Sequence, residues 1–279
     1  MYIDKHPTKL INNFTKVTYT FSHSCLYISR MIFSFHASLS LSKIVHTVSN
    51  RLFVPCIVYC KRRFKMEAEQ KIHIGMRAPG FKCSTTFGNL ELDDFKGKWL
   101  VFFSHPGDFT PVCTTEFLAF ASCYNEFKEL DAELLALSID SNSSHLAWVH
   151  NIYTNSNVVV PFPIIADLSG EIANLYGMKS EQDTSCVRNV YIIDPSGIIR
   201  VILSYPKEVG RNIQEILRIL QALQTSDNEN VLTPANWTKN MSTIIKSPNT
   251  YEDLKERVLN SSDYSFFEWY LCFKNKKEE

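Results

Sequence analysis

The sequence predicts an α/β protein. From Met66 onward, short continuous apolar runs alternate with segments of helical periodicity. A turn signal also joins two late apolar runs head to tail. WLVFFS (99–104) is apolar at nearly every position, as a strand covered on both faces must be. TEFLAFASCYNEFKEL (115–130) carries Phe117, Phe120, Tyr124 and Phe127 at three- and four-residue steps, which predicts an amphipathic helix. ELLALSID (133–140) is a second buried strand. SSHLAWVHNIY (143–153) is a helix with serine at its start. FPIIAD (162–167) is a strand and SGEIANLYGM (169–178) a short helix. RNVYIID (188–194) and GIIRVIL (197–203) flank the turn signal DPSG, which makes them a hairpin. IQEILRILQALQT (213–225) closes the series as a helix with an apolar stripe.

This β-α-β, then α, then β-β-α order is the thioredoxin arrangement. Three regions follow from it. Residues 1–65 form a basic extension, residues 66–225 the thioredoxin-like domain, and residues 226–279 an additional arm or small domain. The last holds Pro234, Pro248, a helix near 249–260 and the aromatic tail YSFFEWYLCF.

Composition bounds the function. The net charge of zero hides a split: residues 1–65 hold ten Lys/Arg and one acid, Asp4. Residues 66–279 then hold 19 Lys/Arg against 28 Asp/Glu, a net of −9, which gives nucleic acid nothing to bind. No apolar run reaches the ~18 residues that span a bilayer, and LFVPCIVYC (52–60) is interrupted by Pro55. Stable membrane association is therefore not expected. The extension, poor in acids and rich in Ser and Thr, has the composition of an organellar targeting peptide. The other reading is that translation starts at Met66. The first places the protein in the mitochondrion, the second in the cytoplasm.

Eight cysteines stand at 25, 56, 60, 83, 113, 123, 186 and 272, with no CxxC and no zinc-knuckle pairing. Scattered thiols suit a reducing compartment. Cys113 is set apart by its surroundings. It follows the strand 99–104 and the rigid stretch PGDFTP, and it stands at a helix start. Unpaired N–H groups and a partial positive charge there favour a thiolate, the nucleophilic form. Thr110 brings a hydroxyl three residues away, while Pro106 and Pro111 stiffen the loop. The plain alternative is a cysteine used as a small buried hydrophobe.

SHPGDFTPVCTTE (104–116) resembles the peroxidatic-cysteine loop of the peroxiredoxins, Pro-x-x-x-Thr/Ser-x-x-Cys, with Pro106, Thr110 and Cys113 in the three places. His105 and the Val-Cys-Thr-Thr-Glu wording are similar to the 1-Cys-type subfamily with a long C-terminal extension. IGMRAPGF, FPIIADLSGEIANLYGM, RNVYIIDPSG and SYPKEVGRNIQEILR extend the likeness over residues 70–279. The resemblance implies a thiol-specific peroxidase that reduces hydrogen peroxide and organic hydroperoxides through a cysteine sulfenic acid, in antioxidant defence and redox homeostasis. It implies that Cys113 attacks the peroxide, that Arg188 stabilises the thiolate and the developing oxygen charge, and that Thr110 hydrogen-bonds the peroxide. It further implies that Pro106 shields the oxidised sulfur, that Glu116 orients the arginine, that His105 supports the pocket, and that no metal or other cofactor is needed because the sulfur does the redox chemistry. Taken as residues alone, Arg188 reads as a strand-end charge and Glu116 as a first-turn acid favoured by the helix dipole.

The Val-Cys-Pro motif of two-cysteine relatives is absent. Cys272, in EWYLCF, is the candidate resolving cysteine, or else a buried structural thiol. Cys186 is a weaker candidate, and Cys83 and Cys123 read as structural. The Gly-x-Ser-x-Gly stretch that accompanies lipase activity in some animal relatives is also absent. The expected partners are a peroxide, an external thiol reductant such as thioredoxin or glutathione, and at least one further copy of the chain. A non-catalytic redox sensor or chaperone on the same fold is the alternative. It has less need of Thr110 and Arg188.

Overall fold

The computed structural model describes residues 71–180, 184–260 and 265–274. They belong to one compact unit, Lys71–Glu279. The basic extension and the boundary expected near Met66 lie outside the described residues.

In chain order the elements are β1 (Lys82–Thr85), β2 (Gly88–Glu91), a 3-10 turn (Leu92–Phe95) and β3 (Trp99–Ser104), then α1 (Pro111–Ser122), α2 (Tyr124–Glu129), β4 (Ala132–Ser138) and α3 (Asn142–Ser156). They continue as β5 (Ile164–Ala166), α4 (Glu171–Leu175), β6 (Arg188–Ile193), β7 (Ile199–Tyr205) and α5 (Ile213–Glu229). β8 (Val231–Leu232), β9 (Thr243–Ile245), α6 (Tyr251–Leu259), β10 (Ser265–Glu268) and β11 (Leu271–Lys274) complete the chain. A seven-stranded sheet runs β2-β1-β5-β4-β3-β6-β7, and a four-stranded sheet runs β10-β11-β9-β8. β3, β4 and β5 are parallel, while β6 returns antiparallel beside β3. The expected β-α-β core and β6–β7 hairpin are both present.

β3 is buried at all six positions, because both faces of the sheet are covered. Val101 and Phe103 face one core, shared with Phe117 and Phe120 of α1, Trp148 of α3 and Ile216 of α5. Leu100 and Phe102 face the opposite core, with Ala78, Phe81, Ile172 and Tyr176. Phe103 and Phe120 stack with ring centroids 4.2 Å apart, which fixes α1 against the strand that precedes it.

The expected helix 115–130 is two helices, divided at Cys123. The first begins four residues earlier than its periodicity indicates, at Pro111, because proline is pre-organised for the first helical position. The aromatic tail forms the β10–β11 hairpin at the edge of the second sheet.

Candidate active site

The loop after β3 reverses the chain into α1. Thr110 precedes the helix with extended backbone (φ −99°, ψ 144°), and its hydroxyl donates to the Gly107 carbonyl at 2.8 Å. Phe109 adopts a left-handed backbone (φ 54°), strained for an aromatic residue. Cys113 is the third residue of α1 and fully buried.

Strand register brings the second component. Phe103 pairs with Val190 across β3 and β6, so Arg188, two residues earlier on the antiparallel strand, lies beside the loop that leaves β3. The Ser104 hydroxyl fastens the crossing, donating to the Val187 carbonyl at 2.6 Å and accepting from the Asn189 N–H at 3.2 Å.

Arg188 is 2% exposed. Its Nη1 donates to Cys113 Sγ at 3.2 Å and to Glu116 Oε2 at 2.8 Å. Its Nε and Nη2 both donate to the Lys207 carbonyl, at 3.0 and 2.7 Å, so the plane of the fork is fixed. Glu116 has a second cation. Arg211 donates to Glu116 Oε1 from its backbone N and its Nε, each at 2.8 Å, and to Oε2 from Nη2 at 2.6 Å. Burial opposes ionisation of Glu116, but the hydrogen bonds and charge of Arg211, with the charge of Arg188, hold its carboxyl below the usual range. Arg211 Nη1 also donates to the carbonyls of Ser104 and Asn189, tying β3 to β6 at the site. Gly210 lets this segment come close to α1, since a Cβ there meets Val112 Cγ1 at 3.3 Å.

His105 is fully buried, stacked on Trp148 at 5.3 Å and edge-on to Phe117 at 4.9 Å. Burial lowers its pKa, against the opposing pull of Asp108. The structure thus brings Arg188 into direct contact with both Cys113 and Glu116, with Thr110 and Pro106 on the loop that leads to Cys113. Cys272 lies outside this cluster. It is buried in β11, where Sγ donates to the Glu268 carbonyl at 3.4 Å. Cys123 Sγ accepts from Gln214 at 3.3 Å. Burial pushes the Cys186 thiol up to about 12 and the Cys83 thiol to about 11.

A model of the AhpC/TSA family matches residues 74–202, and one of the C-terminal domain of 1-Cys peroxiredoxin matches residues 222–261. Peroxiredoxin 2 of Caldanaerobacter subterraneus subsp. tengcongensis is 57% identical over 203 residues, 72% of this chain and 92% of the relative. The chain belongs to the peroxiredoxin family. It is accordingly a thiol peroxidase, an oxidoreductase whose family reaction takes a peroxide and a thiol reductant. Among solved structures, a yeast mitochondrial 1-Cys peroxiredoxin, described with thiol resolution via glutathione/thioredoxin systems, is 38% identical. It covers 74% of this chain and 100% of its own, with a TM-score of 0.66. A cysteine-to-serine mutant of peroxiredoxin 6 from Arenicola marina is 32% identical, covers 75% and 100%, and has a TM-score of 0.65. Among the described residues, no helix is long and apolar enough to cross a membrane.

Sequence reasoning missed Arg211, Asp108 and His145. Arg211 sits in VGRN with no neighbouring charge pattern to mark it. His145 did leave a signal, since it shares the apolar face of α3 with Trp148 and Ile152 at three- and four-residue steps.

Proposed function

We propose that Cys113 is the peroxidatic nucleophile and Arg188 its electrostatic partner, in a peroxidase acting on hydrogen peroxide and organic hydroperoxides. The observation that supports this is the Arg188 Nη1 donor 3.2 Å from the buried sulfur, on a guanidinium fixed by Glu116 and the Lys207 carbonyl. The Cys113 thiolate attacks the distal oxygen of ROOH. The S–O bond forms as the O–O bond breaks, sulfur gives up two electrons, and the alkoxide or hydroxide takes a proton to leave as ROH or water. The product on the protein is a sulfenic acid. The guanidinium presents a fork of donors to the two adjacent oxygens and stabilises the charge that grows on the leaving one.

Thr110 holds the hydroxyl of the bound peroxide, Pro106 shields the sulfur from further oxidation, Glu116 orients Arg188, and His105 supports the pocket wall. A thiol reductant returns the sulfur to its starting state through a mixed disulfide. The yeast relative's glutathione/thioredoxin systems favour an external thiol of that kind. Cys272 enters as resolving cysteine only through the partner subunit of a homodimer. The role is antioxidant defence and redox homeostasis, in the cytoplasm, or in the mitochondrion if residues 1–65 are a targeting segment.

Stopped-flow mixing of the reduced chain with H2O2 and with cumene hydroperoxide tests the assignment. Peroxide consumption far faster than that of free cysteine, abolished in Cys113→Ser and kept in Cys186→Ser, is the expected result. Turnover retained in Cys113→Ser overturns it.

A further inference from the structure

Behind the sulfur-bearing loop lies a second buried polar cluster, Asp108, His105 and His145, which the chemistry at Cys113 does not use directly. His145 is fully buried on α3, and the Asp108 side chain is 1% exposed. The His145 Nε2 lies 3.1 Å from the Ile165 carbonyl, an oxygen that can only accept, so Nε2 carries a proton. The other nitrogen, Nδ1, lies 3.0 and 2.9 Å from the two Asp108 oxygens. A carboxylic O–H would reach a bare Nδ1 from one oxygen only. Near-equal approach to both oxygens suits an N–H pointing between them. A bare Nδ1 against an ionised carboxylate sets lone pair against lone pair in a dry site, which is costly.

We propose that His145 is a positioning residue of the peroxidase loop, held as an imidazolium between the Asp108 carboxylate and the Ile165 carbonyl. Asp108 immediately precedes the strained Phe109 and Thr110, the residue before α1. The ion pair therefore anchors, to α3 and β5, the turn that presents Thr110 and Cys113. The proposal rests on Cys113 being the reacting thiol.

The surrounding charges fit. Burial opposes ionisation of Asp108, but the hydrogen bonds from His105 and His145 outweigh it and hold the carboxyl well below the usual range. His105 Nε2, 3.2 Å from Asp108 Oδ1, donates from a neutral ring whose Nδ1 is buried without a partner. The His105 ring lies 6.2 Å from that of His145, and the charges of His145 and Arg211 both act to keep His105 neutral. Asp140 accepts the Asp108 backbone N–H at 3.0 Å, and Asp167 follows β5 two residues after Ile165. His150 lies exposed further along α3. The three side chains also offer ligand atoms within 4.8 Å of one another, as a metal would require. The hydrogen-bond distances need only protons.

Ring nitrogen-15 NMR of the full chain at neutral pH, assigned with His145→Gln and repeated in Cys113→Ser, reads the charge state without activity. Two protonated nitrogens on His145 are expected, and one bare nitrogen, or stoichiometric bound zinc, overturns the proposal. His145→Gln is expected to lower the peroxide rate constant about tenfold through loop misplacement. That loss is expected at every pH of the wild-type pH–rate profile. His145→Gln/Asp108→Asn removes both charges and is expected to melt above the single His145→Gln variant, which strands a buried carboxylate. A His145→Gln rate equal to wild type across that profile overturns the positioning role. If rates in every background ignore Cys113 while the NMR result holds, it is the assignment of the thiol that fails and not the ion pair.

Discussion

Glu116 is one carboxylate serving two guanidiniums in a buried site. Its removal leaves two buried cations to share nothing. Breaking a buried pair from one side costs about 3–5 kcal/mol. Glu116→Gln is therefore expected to lower the melting temperature strongly, by calorimetry or circular dichroism, and to slow the peroxide reaction as Arg188 loses its orientation. Arg188→Lys separates charge from geometry. A lysine keeps the positive charge but has no fork with which to hold the Lys207 carbonyl and the sulfur together. Its expected outcome is a peroxide rate constant lower by about 10²-fold, the usual loss for one preorganised donor, measured by stopped flow. An unchanged rate refutes the role given to the guanidinium.

At the scale of elements, α5 carries Ile213, Ile216, Leu217 and Leu220 into the core, and its first turn lies next to Arg211. Asn212 caps it, with the side-chain oxygen accepting from the Glu215 N–H at 3.2 Å. Asn212→Ala is expected to cost about 1 kcal/mol of stability, the ordinary worth of such a cap. Leu220→Ala, in the fully buried interior, is expected to cost about 2–5 kcal/mol. Denaturant titrations compare the two directly, and equal losses contradict this account of where α5 gets its stability. Much of the element level was legible in advance, because β3 and β4 are buried on both faces and so are apolar at most positions. The split at Cys123 was not legible. The aromatic spacing runs straight through it, and periodicity does not register a change of axis.

For the whole molecule, three buried groups set the same pH trend. Burial lowers the pKa of His105, so its neutral form is favoured in the fold. Glu116 and Asp108 are held below their ordinary values by their partners. A folded pKa depressed below the unfolded one gives stability that is present above the unfolded value and lost as pH falls through the folded value. The wild-type melting temperature is therefore expected to decline below about pH 6.5, the ordinary histidine value. It should fall further below about pH 4.5, as the carboxylates take up protons. His105→Gln is expected to flatten the first step and leave the second, and an unchanged first step refutes its attribution to His105. Large apolar side chains remain exposed on the second sheet and its helix, among them Tyr251 at 66%, Leu259 at 83% and Phe267 at 72%. Analytical ultracentrifugation is expected to show a concentration-dependent dimer, and a monomer at every concentration contradicts that expectation.

The sequence by itself determined the order of strands and helices from β3 to α5, the division at Cys123 apart, because hydrophobic period is a local property of the chain. It also marked Cys113, Thr110 and Pro106, which lie within eight residues of one another and share one turn. Arg188, 75 residues from Cys113 in the chain, carried no local mark of its own. The antiparallel register of β3 and β6 decides that its guanidinium meets the sulfur. Tertiary packing likewise brings Arg211 to Glu116, 95 residues away, and His145 to Asp108, 37 residues away. A buried charge is tolerated only where a distant partner meets it, and only the packed sheet supplies that meeting.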